Sequence, residues 1–269
     1  MFYANDETGR RVFIDDANRN NHYFCPACGT KMIMRCGDII AHHFSHKAHK
    51  NCDPWYTDKM SAWHRDFQSL FPSECQEVIV WNADHTEFHI ADVLYRSEKT
   101  INVIEFQHSQ LSRREFIERS VFYLDLGYKL FWVFDFRDPD HYKKILYTEK
   151  DDTDRYISLV WPGKDRPRFL DGLDRYEYAD RGNFHILFHI STGLGEEVEH
   201  SNDNGFEWST WEYVNVFSRE TLFVEPRSMY IEDLKEFDAI CYDEEEFYEM
   251  LDRQAKIAKK NVKCVNNST

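Results

Sequence analysis

The chain has 269 residues, enough to bury a full hydrophobic core, and its length fits one large domain with a small appendage or two modest domains. Hydrophobic residues make up 42% of the sequence, yet no apolar run approaches the roughly 20 residues that span a bilayer, so we expect a soluble protein. The net charge of −15 argues against a protein that coats nucleic acid through non-specific phosphate neutralisation.

The first segment, residues 1–54, is rich in Cys, His and Asn and lacks a sustained hydrophobic period, so we expect it to need a metal to fold. Cys25 and Cys28 place two thiolates on a tight turn, and His43 and His46 supply two imidazoles at the same spacing. Zinc binds four such ligands in a tetrahedron, which predicts a structural zinc site at these residues. Nearby candidates for the second pair of ligands are also His42, His49, Cys36 and Cys52.

The chain has seven cysteines, an odd number with one closely spaced pair. This pattern favours metal binding in a reducing compartment, and because the N-terminus lacks the apolar stretch of a signal peptide, we expect a cytoplasmic location. Alternatively, Cys25 and Cys28 are small core residues and the histidines line a solvated loop. Residues 1–52 carry seven Lys/Arg against five Asp/Glu, a charge of +2 that leaves −17 for the rest. A nucleic acid, if one binds, is expected to land on this module.

Residues 55–140 predict a compact α/β core. Apolar residues recur at helical spacing from Met60 to Phe71, and Thr57 and Asp58 are candidate caps of this first helix. Polar turns short enough for two consecutive hairpins then separate three strand-like stretches. These stretches are residues 76–82, 87–96 and 101–108.

A second helix is predicted between Ser112 and Gly127. Ser112 and Glu115 form a capping box that opens this helix, and glycine commonly closes a helix. The apolar run at residues 129–136 predicts a buried strand, which completes the order αβββαβ. Residues 141–269 predict a β-rich C-terminal extension with a terminal helix that starts near Ile231 or Asp243 and ends near Lys260. The strand-like stretches of this extension are residues 156–161, 184–191 and 220–225.

Carboxylates on the second and third predicted strands are the candidate catalytic residues. Asp92 lies on the second strand, and Glu105 and Gln107 lie on the third, where alternation directs both to one side. Two converging carboxylates repel one another unless a hard cation such as Mg²⁺ lies between them. We therefore predict a Mg²⁺ or Mn²⁺ site for phosphodiester hydrolysis, and the alternative is a solvated strand face. Glu77 is a third candidate acid, for which an exposed position is the stronger expectation.

Several motifs between residues 22 and 136 resemble the CoiA-like competence family. The corresponding stretches are residues 25–29, 43–46, 63–68, 91–93 and 105–109, followed by Glu118, Arg119 and Tyr123. The αβββαβ order and the acidic residues also resemble the restriction-endonuclease-like core of the PD-(D/E)XK nuclease superfamily. The resemblance implies that Asp92 and Glu105 hold the catalytic metal. It also implies that Gln107 stands where the superfamily usually has lysine, which can supply a charge that glutamine cannot.

Residues on the two predicted helices and at the end of the third strand are candidates to support the site. His64 lies one helical turn from Gln68, so both could face the site, and we expect His64 to support the metal ligands or to contact phosphate. Gln68, Ser109, Arg119 and Tyr123 are expected to contact the substrate. Alternatively, His64 has a structural role only, and Arg119 is solvated beside Tyr123 in the core.

The leading hypothesis is a metal-dependent deoxyribonuclease that serves DNA processing, competence-like uptake or defence against foreign DNA. The alternative is an inactive nucleic-acid-binding accessory protein for recombination of incoming single-stranded DNA, which Gln107 and the negative charge favour. A third hypothesis is a metal-stabilised protein-interaction module whose partner binds the C-terminal half. Candidate contacts for such a partner are Trp161, Trp208 and Trp211, which are more often core residues.

Overall fold

The structure is a computed structural model that describes residues 1–37, 41–47, 52–55, 61–108, 111–136, 146–150, 156–160, 183–191, 193–201, 207–214, 221–226, 236–242 and 244–265. The chain divides into two compact units. The first consists of Met1–His108, Val121–Lys129 and Asp252–Thr269, and the second consists of Ser109–Ser120 and Leu130–Leu251. Within the described ranges, no helix combines the length and the apolar character that a bilayer crossing requires.

The N-terminal segment forms an antiparallel sheet of five strands. They are β1 (Tyr3–Asn5), β2 (Arg11–Phe13), β3 (Tyr23–Phe24), β4 (Lys31–Arg35) and β5 (His43–His46), in the spatial order β2-β1-β3-β4-β5. Phe2, Tyr23 and Phe44 are buried in one apolar cluster. The segment thus has a hydrophobic core of its own, and its expected need for a metal stays a prediction. Strands of two to five residues are too short to show a hydrophobic period in the sequence, yet together they bury a core.

The predicted order αβββαβ is confirmed along the chain. The elements are α1 (Ala62–Ser69), β6 (Gln76–Trp81), β7 (Phe88–Arg96), β8 (Ile101–Gln107), α2 (Arg113–Asp125) and β9 (Lys129–Phe136). Both hairpins are present, because β6 pairs with β7 and β7 pairs with β8 in antiparallel register. The backbone N–H of Asn82 bonds to Glu87 O at 2.9 Å and closes the first turn, and that of Ser97 bonds to Thr100 O at 2.8 Å and closes the second.

The helix ends follow local capping chemistry. Helix α1 begins after Ser61, whose hydroxyl accepts the backbone N–H of His64 at 3.1 Å, whereas the caps proposed from the sequence, Thr57 and Asp58, lie outside the described residues. Helix α2 has the predicted N-cap, since Ser112 Oγ accepts the backbone N–H of Glu115 at 3.1 Å. Gly127 ends this helix in the left-handed conformation, with φ of +74°.

The second unit is rich in strands, as predicted for the C-terminal extension. Its strands after β9 are β10 (Leu146–Lys150), β11 (Tyr156–Val160), β12 (Phe184–Ser191), β13 (Gly193–Ser201), β14 (Glu207–Val214), β15 (Thr221–Pro226) and β16 (Glu236–Tyr242). Their order is β14-β13-β10-β11-β16-β15-β12-β9. The last helix, α3 (Glu244–Val265), starts near the later of the two predicted positions. Trp208 and Trp211 lie on β14, whose side chains are not described, and Trp161 lies outside the described residues.

Glu77 is buried, contrary to the expectation of an exposed acid. Its side chain is 3% exposed, and its two carboxylate oxygens accept the backbone N–H groups of Phe2 at 2.6 Å and Tyr3 at 3.0 Å. Glu77 also adopts a positive φ of 45°, a conformation that few non-glycine residues take. The carboxylate therefore ties strand β6 to the entry of strand β1.

Replacing Glu77 with alanine is expected to destabilise the first unit strongly. The substitution leaves two buried backbone N–H groups without their acceptor, and each such group costs about 1–3 kcal/mol, or about 2–6 kcal/mol together. Urea unfolding measures the change in the free energy of unfolding. Glu98→Ala, which removes an exposed glutamate from the turn after β7, is the control. Equal stability of the two variants would contradict this role of Glu77.

Candidate functional site

Asp92 occupies an opening in the pairing of β7 with β8. The antiparallel register runs from Arg96 opposite Ile101 to Val93 opposite Ile104 and ends there. Immediately beyond that pair, Oδ2 of Asp92 accepts the backbone N–H of Phe106 at 2.8 Å. Phe106 lies between Glu105 and Gln107 in the chain, so this hydrogen bond ties the Asp92 carboxylate to the stretch of β8 that carries both. We call Asp92, Glu105 and Gln107 the carboxylate site.

His64 faces the carboxylate site from helix α1. Its Nε2 lies 3.2 Å from Oδ1 of Asp92, close enough for an ion pair but without a hydrogen bond. The side chains of His64 and Asp92 are both buried, at 8% and 5% exposure. The structure thus brings together two residues that the sequence predicted for one site, and Asp92 uses one oxygen toward His64 and the other toward β8.

Gln68 follows His64 by one helical turn and also contacts Asp92. Its Nε2 donates to the backbone oxygen of Asp92 at 2.7 Å, and the side chain is 1% exposed. Helix α1 therefore holds strand β7 at Asp92 through side chains from two successive turns. Contact of Gln68 with a substrate stays a prediction.

Strand β8 alternates as its sequence predicts. Phe106 packs against helix α1, with its ring stacked on Phe67 at a centroid distance of 5.7 Å and edge-on to Trp63 at 6.0 Å. Glu105 is fully buried, whereas Gln107 is half-buried. A buried carboxylate is stable when a cation or hydrogen-bond donors compensate its charge, so Glu105 has the setting of a metal ligand or of a buried polar partner. Gln107 lies at the edge of the site nearer to solvent.

The remaining residues predicted to contact a substrate are Arg119, Tyr123 and Ser109. The Arg119 guanidinium lies over the Trp132 ring at 4.9 Å and its Nη1 lies 3.6 Å from Oε1 of Glu115. Tyr123 is buried, at 1% exposure. Ser109 lies outside the described residues. Contact of these three side chains with a substrate stays a prediction.

Four potential metal ligands converge in the N-terminal segment. The ligand atoms of Cys25, Cys28, His46 and Cys52 lie within 4.8 Å of one another, and we call these residues the Cys/His cluster. Cys25 Sγ lies 3.6 Å from Cys52 Sγ, and Cys28 Sγ lies 3.4 Å from His46 Nε2. Sulfur ligands about 2.3 Å from a tetrahedral zinc are roughly 3.8 Å apart, so these spacings and this donor set suit zinc. The Cys/His cluster could therefore hold a structural zinc.

The structure corrects the predicted ligand set at one position. His43 is outside the cluster, with its Nδ1 2.8 Å from the backbone oxygen of Ala41, and Cys52 supplies the fourth donor. The reason is the strand: His43 and His46 are three residues apart on β5, and residues at an odd separation point to opposite faces of a sheet. Cys36 and His42 also lie outside the cluster, and His49 lies outside the described residues.

Cys25 and Cys52 of the Cys/His cluster share one sulfur–sulfur hydrogen bond that moves their pKa values in opposite directions. It lowers the pKa of Cys25 to about 5 and raises the pKa of Cys52. The shared bond therefore favours a thiolate at Cys25 and a proton at Cys52. Because zinc binds thiolates, binding displaces that proton, and affinity for zinc falls as the pH is lowered.

Two regions of the chain match models of one protein family. Residues 8–54 match the model described as Competence protein CoiA, N-terminal domain, and residues 85–152 match Competence protein CoiA, nuclease-like domain. The first region contains the whole Cys/His cluster and the second contains the whole carboxylate site. No curated protein and no solved structure matches the chain significantly.

Proposed function

We propose that this chain, two regions of which match the CoiA N-terminal and nuclease-like domains, is a Mg²⁺- or Mn²⁺-dependent nuclease of the PD-(D/E)XK type that hydrolyses phosphodiester bonds of DNA. One observation carries the proposal. The Asp92 carboxylate accepts the backbone N–H of Phe106, the residue between Glu105 and Gln107. This bond supports the proposal, because a divalent metal site would need an acid of β7 close to the acid of β8.

Each residue has a distinct part in this proposal. Asp92 and Glu105 would hold the cation, which lowers the pKa of a bound water and stabilises the charge that develops on the phosphate. His64 orients Asp92 from α1 through the contact of 3.2 Å. Gln107 can donate a hydrogen bond to a phosphate oxygen, but unlike lysine it brings no charge to that oxygen.

The N-terminal segment is proposed to help seat the nucleic acid. Residues 1–52 carry a charge of +2, whereas the rest of the chain carries −17, so the electrostatic attraction for phosphate is greater at this segment than over the rest of the chain. A nuclease of this kind would serve DNA processing, competence-like uptake or defence against foreign DNA.

A second candidate function is binding without cleavage. Gln107 favours it, because the family resemblance aligns this residue with a lysine that contributes charge in active members of the nuclease superfamily. The burial of Asp92 and Glu105, at 5% and 0% exposure, favours it too, since a substrate must reach both. Such a protein would hold single-stranded DNA for recombination.

The test is cleavage of end-labelled single- and double-stranded DNA with Mg²⁺ or Mn²⁺, with labelled RNA as a further substrate. We expect shortened DNA products that EDTA prevents, and no products from Glu105→Ala. Glu98→Ala, an exposed glutamate at the turn before β8, should cleave like the unchanged protein. Cleavage by Glu105→Ala at the unchanged rate would refute the assignment. Metal-independent retardation of DNA without any shortening would favour the second function.

A further inference from the structure

Asp53 connects the Cys/His cluster to strand β7. It follows Cys52 directly in the chain and is 1% exposed. Its Oδ2 accepts the backbone N–H of Ile90 at 2.7 Å, and its Oδ1 accepts the backbone N–H of Trp55 at 3.0 Å. Oδ1 also lies 3.0 Å from Nδ1 of His89. One carboxylate therefore joins the residues around a cluster cysteine to two consecutive residues of β7.

His89 is held on every side. Its second ring nitrogen, Nε2, lies 3.0 Å from Oε1 of Glu87, so a carboxylate oxygen faces each nitrogen of the ring. The ring stacks on Trp55 and meets the edge of Phe122 at a centroid distance of 4.5 Å. The side chain is 2% exposed. A buried imidazole with these neighbours has little freedom to move, so it transmits the position of Asp53 to the strand.

The path from the cluster to the carboxylate site is short. Cys52 supplies a cluster sulfur, Asp53 is the next residue, and Ile90 precedes Asp92 by two residues on β7. Without the Asp53 carboxylate, the buried N–H of Ile90 would lose its acceptor, which costs free energy. Binding of Cys52 to a metal restricts the motion of Asp53, and Asp53 in turn restricts the motion of the first residues of β7.

We propose that Asp53 is a positioning residue that couples occupancy of the Cys/His cluster to the order of strand β7 next to Asp92. The inference depends on zinc binding by the cluster and does not depend on DNA cleavage. By thermodynamic reciprocity, the factor by which zinc stabilises β7 through Asp53 equals the factor by which an ordered β7 raises the affinity for zinc. Zinc bound at the Cys/His cluster then orders strand β7 next to Asp92 as well as the N-terminal segment.

The experiment is hydrogen exchange of the full chain, with zinc and after chelation, read on peptides that contain residues 88–92. In the unchanged protein, chelation is expected to speed amide exchange there by about tenfold or more, as opening of a hydrogen-bonded segment does. Asp53→Asn turns one of the two accepting oxygens into an NH₂ group, so Ile90 and Trp55 can no longer both be held, and zinc should no longer alter exchange in these peptides. Zinc affinity of this variant, measured by competition with a fluorescent chelator, should fall by about 10–100-fold, which is typical of residues that orient metal ligands.

The matched control is Asp84→Asn. Asp84 also accepts a backbone N–H, that of Thr86 at 3.2 Å, but it lies in the exposed turn after β6. It should keep the zinc dependence of exchange and the affinity of the unchanged protein. If Asp53→Asn does not fold, Glu87→Gln releases one side of His89 from a half-exposed position and should reduce the zinc dependence. The proposal is overturned if chelation leaves amide exchange at residues 88–92 of the unchanged protein as it was. It is also overturned if Asp53→Asn shows the same zinc affinity and the same zinc dependence of exchange as Asp84→Asn.

Discussion

Asp92→Asn is expected to abolish metal-dependent cleavage while leaving the fold in place. Asparagine keeps an oxygen that can accept the Phe106 N–H, so the link between β7 and β8 survives. The substitution removes the negative charge that would hold the cation in the proposed site. Metal stabilisation of the developing charge amounts to several kcal/mol, so a loss of about 10²–10⁴-fold in kcat/KM is expected. Steady-state cleavage rates over a range of Mn²⁺ concentrations measure it.

The control for this variant is Asp66→Asn on the exposed face of helix α1, close in sequence to His64. It removes the same charge from the chain and should cleave normally. Unfolding midpoints in urea should agree among the two variants and the unchanged protein, because neither loses a buried backbone acceptor. An Asp92→Asn variant that cleaves as fast as Asp66→Asn would show that the metal, if required, is held elsewhere.

The core of the nuclease-like region could be predicted because its signals are local. The turns around Asn82 and Ser97 are polar and short, and the strands between them alternate or are continuously apolar, so pattern and turn chemistry agree. The Ser112 cap and Gly127 act within one helical turn. The start of α1 was predicted too early, because local signals alone do not choose among several possible caps. Several Ser, Thr and Asp residues precede that helix, all of them can cap, and the backbone takes Ser61.

Burial of polar groups depends on partners that are distant in sequence, and this limited the prediction of the site. Glu77 was expected at the surface because its partners, the N–H groups of Phe2 and Tyr3, lie 75 and 74 residues away. The bond from Gln68 to the backbone of Asp92 likewise joins residues 24 positions apart, and the expected contact of Gln68 with a substrate stays a prediction. Asp53 was not identified at all. The one available signal was its position beside a potential zinc ligand, where residues that orient ligands are common.

The carboxylate site itself was predicted from two sources that act together. Strand alternation directed Glu105 and Gln107 to one side of β8, and the family resemblance chose Asp92 from among many acids in an acidic chain. Neither source predicted that β7 and β8 separate at Val93, which allows the Asp92 side chain to bond to the β8 backbone. That separation follows from the register of both hairpins, which depends on the complete sheet.

Cys52→Ser is expected to remove zinc from the chain, whereas His43→Gln is expected to retain it. Cys52 supplies one of the three sulfur donors of the Cys/His cluster, and His43 points to the other face of β5. Loss of a thiolate ligand should lower zinc affinity by more than the roughly 10–100-fold produced by losing a residue that merely orients a ligand. Competition with a fluorescent zinc chelator gives the affinities, and native mass spectrometry gives the stoichiometry.

Cys36→Ser is the control for the Cys52 substitution, because Cys36 is a half-buried thiol of the same segment outside the cluster. It should bind zinc as the unchanged protein does. Since zinc stabilises whichever state binds it, chelation should lower the unfolding midpoint of the unchanged protein, Cys36→Ser and His43→Gln, but should have no further effect on Cys52→Ser. Zinc loss from His43→Gln with retention by Cys52→Ser would restore the ligand pair expected from sequence spacing. In that case Asp53 would no longer directly follow a metal ligand in the chain, and the proposed coupling to β7 requires that it does.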